Sequence, residues 1–350
     1  MKLVKKEVLY NNGRVKERYS VKVSSLGEEI EHGCHLYFDI SGNKRAEENY
    51  RDGLQHGRYI IWYRDGGMRR LSHYDNGVLD GKWIEWHRND QRSKKQWFVK
   101  GVPHGKLTCW YEDGQKERSE YFENGTAEGA FVFWYKDGQK KKQGYVKNGN
   151  PDGKHIEWYK DGQKRSRLFY RDGVLHGRCA FWYENGIKER EERYQEGILH
   201  GVYREWYYHG QIRKKITYQS GDLHGPYKEW YEDGTPKRCQ HYERFQLHGP
   251  SAEWYKNGQK RLQCSYENGV LSERYCEWYM NGQVAKIQHY TEGKKDGRSV
   301  WYDENGISEA SGVYSNGVEY EGTFLMEYED EDSEGFNAEI VCYTEGKRVY

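Results

Sequence analysis

Along this chain, short runs rich in apolar and aromatic residues alternate with polar turns, and the alternation recurs every 24 residues. Trp62, Trp86, Trp110, Trp134, Trp158, Trp182, Trp206, Trp230, Trp254 and Trp278 hold one position of the repeat. A second column keeps the same beat through Tyr50, Tyr74, Phe98, Phe122, Val146, Tyr170, Tyr194, Tyr218, Tyr242, Tyr266, Tyr290 and Tyr314. A fixed period of this size is the signature of a repeat architecture. Within one copy, Lys106 to Glu112 reads as a strand, Asp113-Gly114 as a turn and Gln115 to Phe122 as a second strand. Glu123-Asn124-Gly125, followed by Glu128-Gly129, reads as a looser return turn. Asp-Gly between strand-like runs is a strong hairpin signal, because both central residues of a type I′ turn take positive φ. Helical spacing is absent, and nothing apolar is long enough to be a parallel crossover. The pattern therefore predicts an all-β chain: an elongated antiparallel meander, or solenoid, of β-hairpin repeats.

A two-residue turn fixes a register. It sets Glu85 opposite Lys94, Glu205 opposite Lys214, Glu229 opposite Arg238 and Glu277 opposite Lys286. It also sets Tyr111, Tyr135 and Tyr159 opposite Lys116, Lys140 and Lys164. Such cross-strand pairs contribute roughly 0.2–1 kcal/mol each, so only a ladder of them matters. Pleating then places Tyr111, Lys116, Arg118 and Phe122 on one face, with Thr108, Trp110, Glu117 and Tyr121 on the other.

Three segments follow from the phase. Residues 1–49 form an atypical N-terminal cap, residues 50–322 the regular repeats, and residues 323–350 an acidic, degenerate C-terminal cap. The acidic run at 327–334 is expected to be a solvated loop. Asp90, Phe245 and Glu273 stand where glycine is expected, and Trp301 arrives one residue early, leaving Tyr302 in the tryptophan phase.

Composition sharpens this picture. Only 35% of residues are hydrophobic and 32% are charged, which alone would fit disorder, but 16% are aromatic. A thin structure that buries rings rather than aliphatic bulk fits better. The net charge of +1 implies no general attraction to nucleic acid or acidic lipid. Lys94-Lys95, Lys140-Lys141-Lys142 and Lys214-Lys215 lie beside aromatics, but facing glutamates neutralise much of that stripe. Seven scattered cysteines do not make a disulfide framework, and no signal-like or membrane-length apolar run occurs. A reducing compartment, the cytoplasm, is expected.

The chemistry of sites is thin. His56, His104, His176, His200, His224 and His248 share one repeat position. At roughly 10 Å per two-strand repeat they are too far apart to share a zinc ion, so they read as anchors of the turn. No Cys-x-x-Cys pair, phosphate loop, dinucleotide fingerprint or nucleophile elbow occurs. No metal, cofactor or catalytic residue is expected, and the chain reads as a non-enzyme.

The recurring Trp-Tyr-x-Asp/Asn-Gly-Gln-Lys core, with a downstream Tyr-x-x-Gly-x-x-His-Gly, resembles the MORN-repeat family. More closely it is similar to the variant repeat of bacterial antitoxin-like proteins and of large DNA viruses of amoebae. That resemblance covers nearly the whole chain. It implies a β-hairpin sheet used for protein–protein contact, scaffolding or self-association, and more weakly phosphoinositide binding; it supplies no catalytic residue. The expected function is a non-catalytic scaffold that docks a protein partner or a second copy of itself. An antitoxin-type module holding one specific protein is the competing reading; surface binding of phosphoinositide or nucleic acid is a third. For a viral member the compartment would be host cytoplasm or virion. The ten phased tryptophans form the structural ladder, while Trp83, Trp97 and Phe133 lie off it and are the candidate partner contacts, because Trp and Tyr dominate interface hot spots.

Overall fold

The computed structural model describes residues 2–329 and 336–349, which fall into two compact units divided between Val174 and Leu175. Thirty-six strands are described, each antiparallel to strands next to it in sequence, and no helix occurs among the described residues. The all-β meander is what forms, and its first-order cause is the period-two alternation within each run.

The two turns of the repeat exchange the roles that the sequence suggests. Between strands Val102–Trp110 and Lys116–Glu123, the Tyr111 carbonyl accepts from the Gly114 amide at 3.0 Å, and the Tyr111 amide donates to the Gln115 carbonyl at 2.9 Å. Only Gly114 has positive φ, at 84°; Asp113 does not, and its carboxylate accepts from the Gln115 amide at 3.0 Å. This is a three-residue loop, a type I turn closed by a left-handed glycine. The tight two-residue turn is the other one. Asn124 and Gly125 have φ of 48° and 84°, and Glu123 pairs directly with Thr126. Asn tolerates the left-handed region because its short side chain clashes little there.

The extra loop residue moves the lysines. Trp110, not Tyr111, faces Lys116, and likewise Trp134 faces Lys140 and Trp158 faces Lys164. A bulge beside each tryptophan then absorbs the added residue, so Cys109 faces Arg118 as the simpler register requires. Glu85–Lys94, Glu205–Lys214, Glu229–Arg238 and Glu277–Lys286 accordingly pair as expected. The face assignment changes with it. Lys106, Thr108, Trp110, Lys116, Ser119 and Tyr121 share one face, while Leu107, Cys109, Arg118, Glu120 and Phe122 share the other.

Glu128-Gly129 is not part of a turn. It interrupts a strand, separating Thr126–Ala127 from Gly129–Trp134. The residue before that glycine reaches the tight turn one repeat later. Glu128 accepts from the Asn148 amide at 2.7 Å, His200 Nδ1 from Ser220 at 3.4 Å and His176 Nδ1 from Glu196 at 3.5 Å. His176, His200 and His248 thus satisfy turn donors, and Asp80, Glu128 and Asp296 do so at the same repeat position. On the opposite edge, Tyr111-type hydroxyls donate to the tryptophan carbonyl of the next copy, at 2.8 Å from Tyr111 to Trp134 and 2.9 Å from Tyr231 to Trp254.

Local departures have local causes. In the first repeat, Ser24–Glu28 closes a wider loop, and strand Val15–Val23 is one residue longer than its counterparts, so the next copy arrives late. Asp90, Phe245 and Glu273 keep the left-handed conformation of the glycines they replace, at φ of 62°, 67° and 63°. Phe245 is bulky and 58% exposed, so little packing offsets its strain. Phe245→Gly is expected to stabilise the chain by about 1 kcal/mol, the left-handed penalty less the entropy cost of glycine. A higher urea midpoint with an unchanged m-value would show it.

Tyr302 does occupy the tryptophan position, accepting from the Tyr279 hydroxyl at 2.8 Å, and Trp301 turns to the other face. There it joins Ala310, Tyr314 and the fully buried Phe324, with Tyr343 packed alongside. Of the acidic run, residues 327–329 belong to strand Val318–Glu329, so the run begins in a strand rather than a loop. Its remainder lies outside the described residues.

Candidate functional site

The ladder tryptophans are half-buried and engaged within the sheet. Lys44 Nζ lies 5.0 Å from the Trp62 ring centroid, Lys188 5.5 Å from Trp206 and Lys116 5.9 Å from Trp134, each from the preceding copy. Lysine stems and ammonium groups therefore cover these rings.

The opposite face carries two ring columns with polar residues between them. Tyr59 packs tilted against Tyr74 at 6.1 Å between centroids, Tyr227 against Tyr242 at 6.0 Å and Tyr275 against Tyr290 at 5.8 Å. Hydroxyls of both columns hold carboxylates and amides two residues away. Tyr203 donates to Glu205 at 3.3 Å, Tyr227 to Glu229 at 3.1 Å, Tyr194 to Glu192 at 2.8 Å and Tyr242 to Gln240 at 3.1 Å. Burial, reinforced by the Glu229 charge, pushes the Tyr227 hydroxyl up to about 12. Glu229 is itself buried, which works against ionisation, but hydrogen bonds from Lys237 and Tyr227 outweigh this and hold its carboxyl below the usual range.

The candidate partner residues do not share a surface. Trp83 sits in a ring column with Tyr59 and Leu107, at 5.8 Å from Phe98, with the Arg70 guanidinium 4.6 Å over its ring and its Nε1 donating to Glu85 at 3.0 Å. Phe133 is on the same face, 5.3 Å from Phe131. Trp97 faces Lys82 on the tryptophan side and is 43% exposed. Trp83 and Phe133 thus belong to regular positions of the repeat, and pleating separates Trp97 from both.

The ring face has a gap. Val146 replaces a ring in the second column, and two residues earlier Gly144 replaces the polar side chain. A cavity of about 270 Å³ opens there, walled by Phe131, Phe133, Val146, Pro151, His155 and Tyr170, with Glu120 and Lys142 at its polar side. Gly144 is what lets the His155 ring lie flat on the strand: a Cβ there would stand 2.7 Å from Nδ1. His155 Nε2–H donates to the Tyr145 carbonyl at 2.7 Å, and burial lowers the imidazole pKa, so the ring is neutral near pH 7. Its ring lies 5.3 Å from Phe131 and 4.8 Å from Tyr170. Val146 keeps the 24-residue beat, so periodicity alone does not reveal the hole. The readable signal was a missing ring and a missing polar side chain two residues apart.

Among the described residues no three His, Cys, Asp or Glu side chains come together as metal ligands. No helix among them is long and apolar enough to cross a membrane. No disulfide joins any of the seven cysteines, all of which are described residues.

Residues 103–124, 199–220, 223–244 and 247–268 each match the family model described as MORN repeat variant. These are MORN-variant repeats. Copies outside these stretches keep the same turn: the Tyr135 carbonyl accepts from Gly138 at 3.0 Å and that of Tyr279 from Gly282 at 3.0 Å, as Tyr111 does within a matched stretch. None of the curated proteins matches this chain. Among solved structures, the TcdB2-TccC3-Cdc42 crystal structure is similar at 10% identity and a TM-score of 0.18, over 96% of this chain and 24% of that one. TcdB2-TccC3 without its hypervariable C-terminal region gives 10% and 0.19, over 97% and 22%. The Photorhabdus luminescens Tc holotoxin pore gives 9% and 0.16, over 93% and 22%. This chain spans about a quarter of those chains, and likenesses of this size say nothing of its function.

Proposed function

We propose that this chain is a non-catalytic scaffold that binds a protein partner through the ring face of its MORN-variant repeats. The observation that carries the reading is the gap at Val146, where a column otherwise filled by rings leaves apolar walls open to an incoming side chain. This reading takes the setting to be reducing and cytoplasmic, as the scattered placement of the seven cysteines suggests. Self-association and one-to-one binding of a single protein are distinguished by the mass of the purified complex.

Because Phe133 and Trp97 lie on opposite faces, single substitutions separate the two surfaces. Phe133→Ser is expected to lose the partner captured from native cells, and Trp97→Ala to keep it. The reverse outcome would move the docking surface to the tryptophan face, and retention by both would sink this reading.

A second reading has one observation in its favour. Arg45, Arg64, Arg69 and Arg88 converge with Trp62 and Tyr63 on a cavity of about 440 Å³, and Arg88 faces Asp65 at 3.8 Å. Four guanidinium groups in one cavity suit a phosphate-bearing ligand, whether phosphoinositide or nucleic acid. Sedimentation with vesicles containing phosphoinositide, at two salt concentrations, tests it.

A further inference from the structure

We propose that the cavity at Val146 receives the side chain of an arginine carried by a protein partner, with Glu120 as its counter-ion and Phe133 and Tyr170 as its ring walls. The proposal rests on the protein-binding reading above and names the chemistry of that site. Its volume of about 270 Å³ lies below the range of drug-sized ligand sites and suits a single side chain.

Glu120 is the residue that points to a cation. At its repeat position, Glu192 accepts from the Tyr194 hydroxyl at 2.8 Å, Gln240 from Tyr242 at 3.1 Å and Gln288 from Tyr290 at 3.0 Å. In the copy that lines the cavity that neighbour is Phe122, which has no hydroxyl to give. Arg118, the cation paired with Glu120, stands at 3.9 Å, the edge of an ion pair. Half-buried beside phenyl rings, the carboxylate gains from a donor that brings charge with it.

Cationic competitors within the cavity are already committed. Lys142 Nζ pairs with Glu157 at 3.1 Å, and His155 is neutral with its Nε2–H given to Tyr145. The chain also shows the arrangement elsewhere, satisfied from within. The Arg190 guanidinium lies 3.9 Å from the centroid of the Phe181 ring and 3.1 Å from a Glu192 carboxylate oxygen. Phe181 holds the same repeat position as Phe133 and Glu192 the same as Glu120, but Phe181 lies on the strand before Glu192 and Phe133 on the strand after Glu120, so the ring approaches from the other side. Guanidinium, planar and weakly hydrated, satisfies a ring face and a carboxylate together, which the strongly hydrated ammonium of lysine does less well.

The test uses the full chain with labelled valine methyl groups. It is titrated with N-acetyl-arginine methylamide, its lysine counterpart and the uncharged citrulline counterpart. The arginine compound is expected to shift the Val146 methyl resonances saturably, at least fivefold more tightly than either of the others. Glu120→Gln should weaken it at least fivefold. Phe122→Tyr should weaken it as well, by giving Glu120 the hydroxyl its counterparts have. Val146→Phe, which restores the ring present in other copies and so should fold, removes that reporter and is read by calorimetry, where binding of the arginine compound is expected to be lost. No saturable shift at Val146 overturns the proposal, as does equal binding of citrulline or lysine. Partner capture by Val146→Phe is read alongside. Loss of the partner supports the proposal, whereas an arginine-binding pocket whose blockage leaves the partner bound overturns its protein part. The face comparison of Phe133→Ser with Trp97→Ala stands apart from these titrations, so failure of the broader reading remains distinguishable.

Discussion

Phe324→Ala is expected to cost about 3–5 kcal/mol of the stability of the closing repeats, the range for a fully buried phenylalanine. Phe324 is wholly enclosed by rings at near-perpendicular angles: Trp301 at 6.0 Å, Tyr314 at 5.0 Å and Tyr343 at 5.6 Å between centroids. It occupies the space above Gly312, where an added Cβ would lie 2.3 Å from its ring. Gly312→Val is therefore expected to displace the phenyl ring and destabilise strongly by overpacking. The two substitutions share one cause, so the double variant should lose less than the sum of the singles, with coupling on the order of 1 kcal/mol or more. Hydrogen exchange of strand Ser308–Ser315 is the measurement, and additive losses would show that the ring and the glycine do not act together.

Alkali is expected to unfold the ring face between about pH 10 and 12. Burial is the largest cause of raised hydroxyl pKa values at Tyr37, Tyr227 and Tyr266, each pushed up to about 12, and it raises Tyr203 and Tyr194 as well. An unfolded tyrosine titrates near 10. The folded state therefore holds these protons more tightly. The stability they contribute is complete below about pH 10 and is lost as pH rises through the folded values. Phenolate absorbance should rise together with loss of the β signal. Tyrosines that ionised near pH 10 with the sheet intact would show that the face is open to water. In acid, Glu229 gives the opposite sign. Its lowered pKa contributes stability above the unfolded carboxyl value, lost as pH falls through the folded one.

The unequal legibility of these features has a physical basis. The 24-residue beat is a property of the chain, and strand pairing between neighbours in sequence needs no distant partner to be inferred. That is why the meander, the Glu–Lys and Glu–Arg pairs and the displacement of Trp301 could all be read from residues alone. Turn type was legible only in part. Asp-Gly suits both a two-residue and a three-residue loop, and Asn124-Gly125 differs from it by one atom group. What separates them is whether the residue before glycine also enters the left-handed region, which depends on the strands being joined. One residue of loop length then reassigned the partner of every turn lysine and moved Lys116 onto the tryptophan face.

The sequence by itself determined the repeat, its all-β character, the ladder of tryptophans and the lack of a recognisable catalytic motif, because each depends on spacing along the chain. Tertiary structure alone decided which face each ring occupies, that Trp97 stands apart from Trp83 and Phe133, and that Gly144 and Val146 leave a cavity beside Glu120. The reason is geometric: a bulge inverts the pleat beyond it, and a hole is defined by side chains from several strands whose sizes must be compared in space.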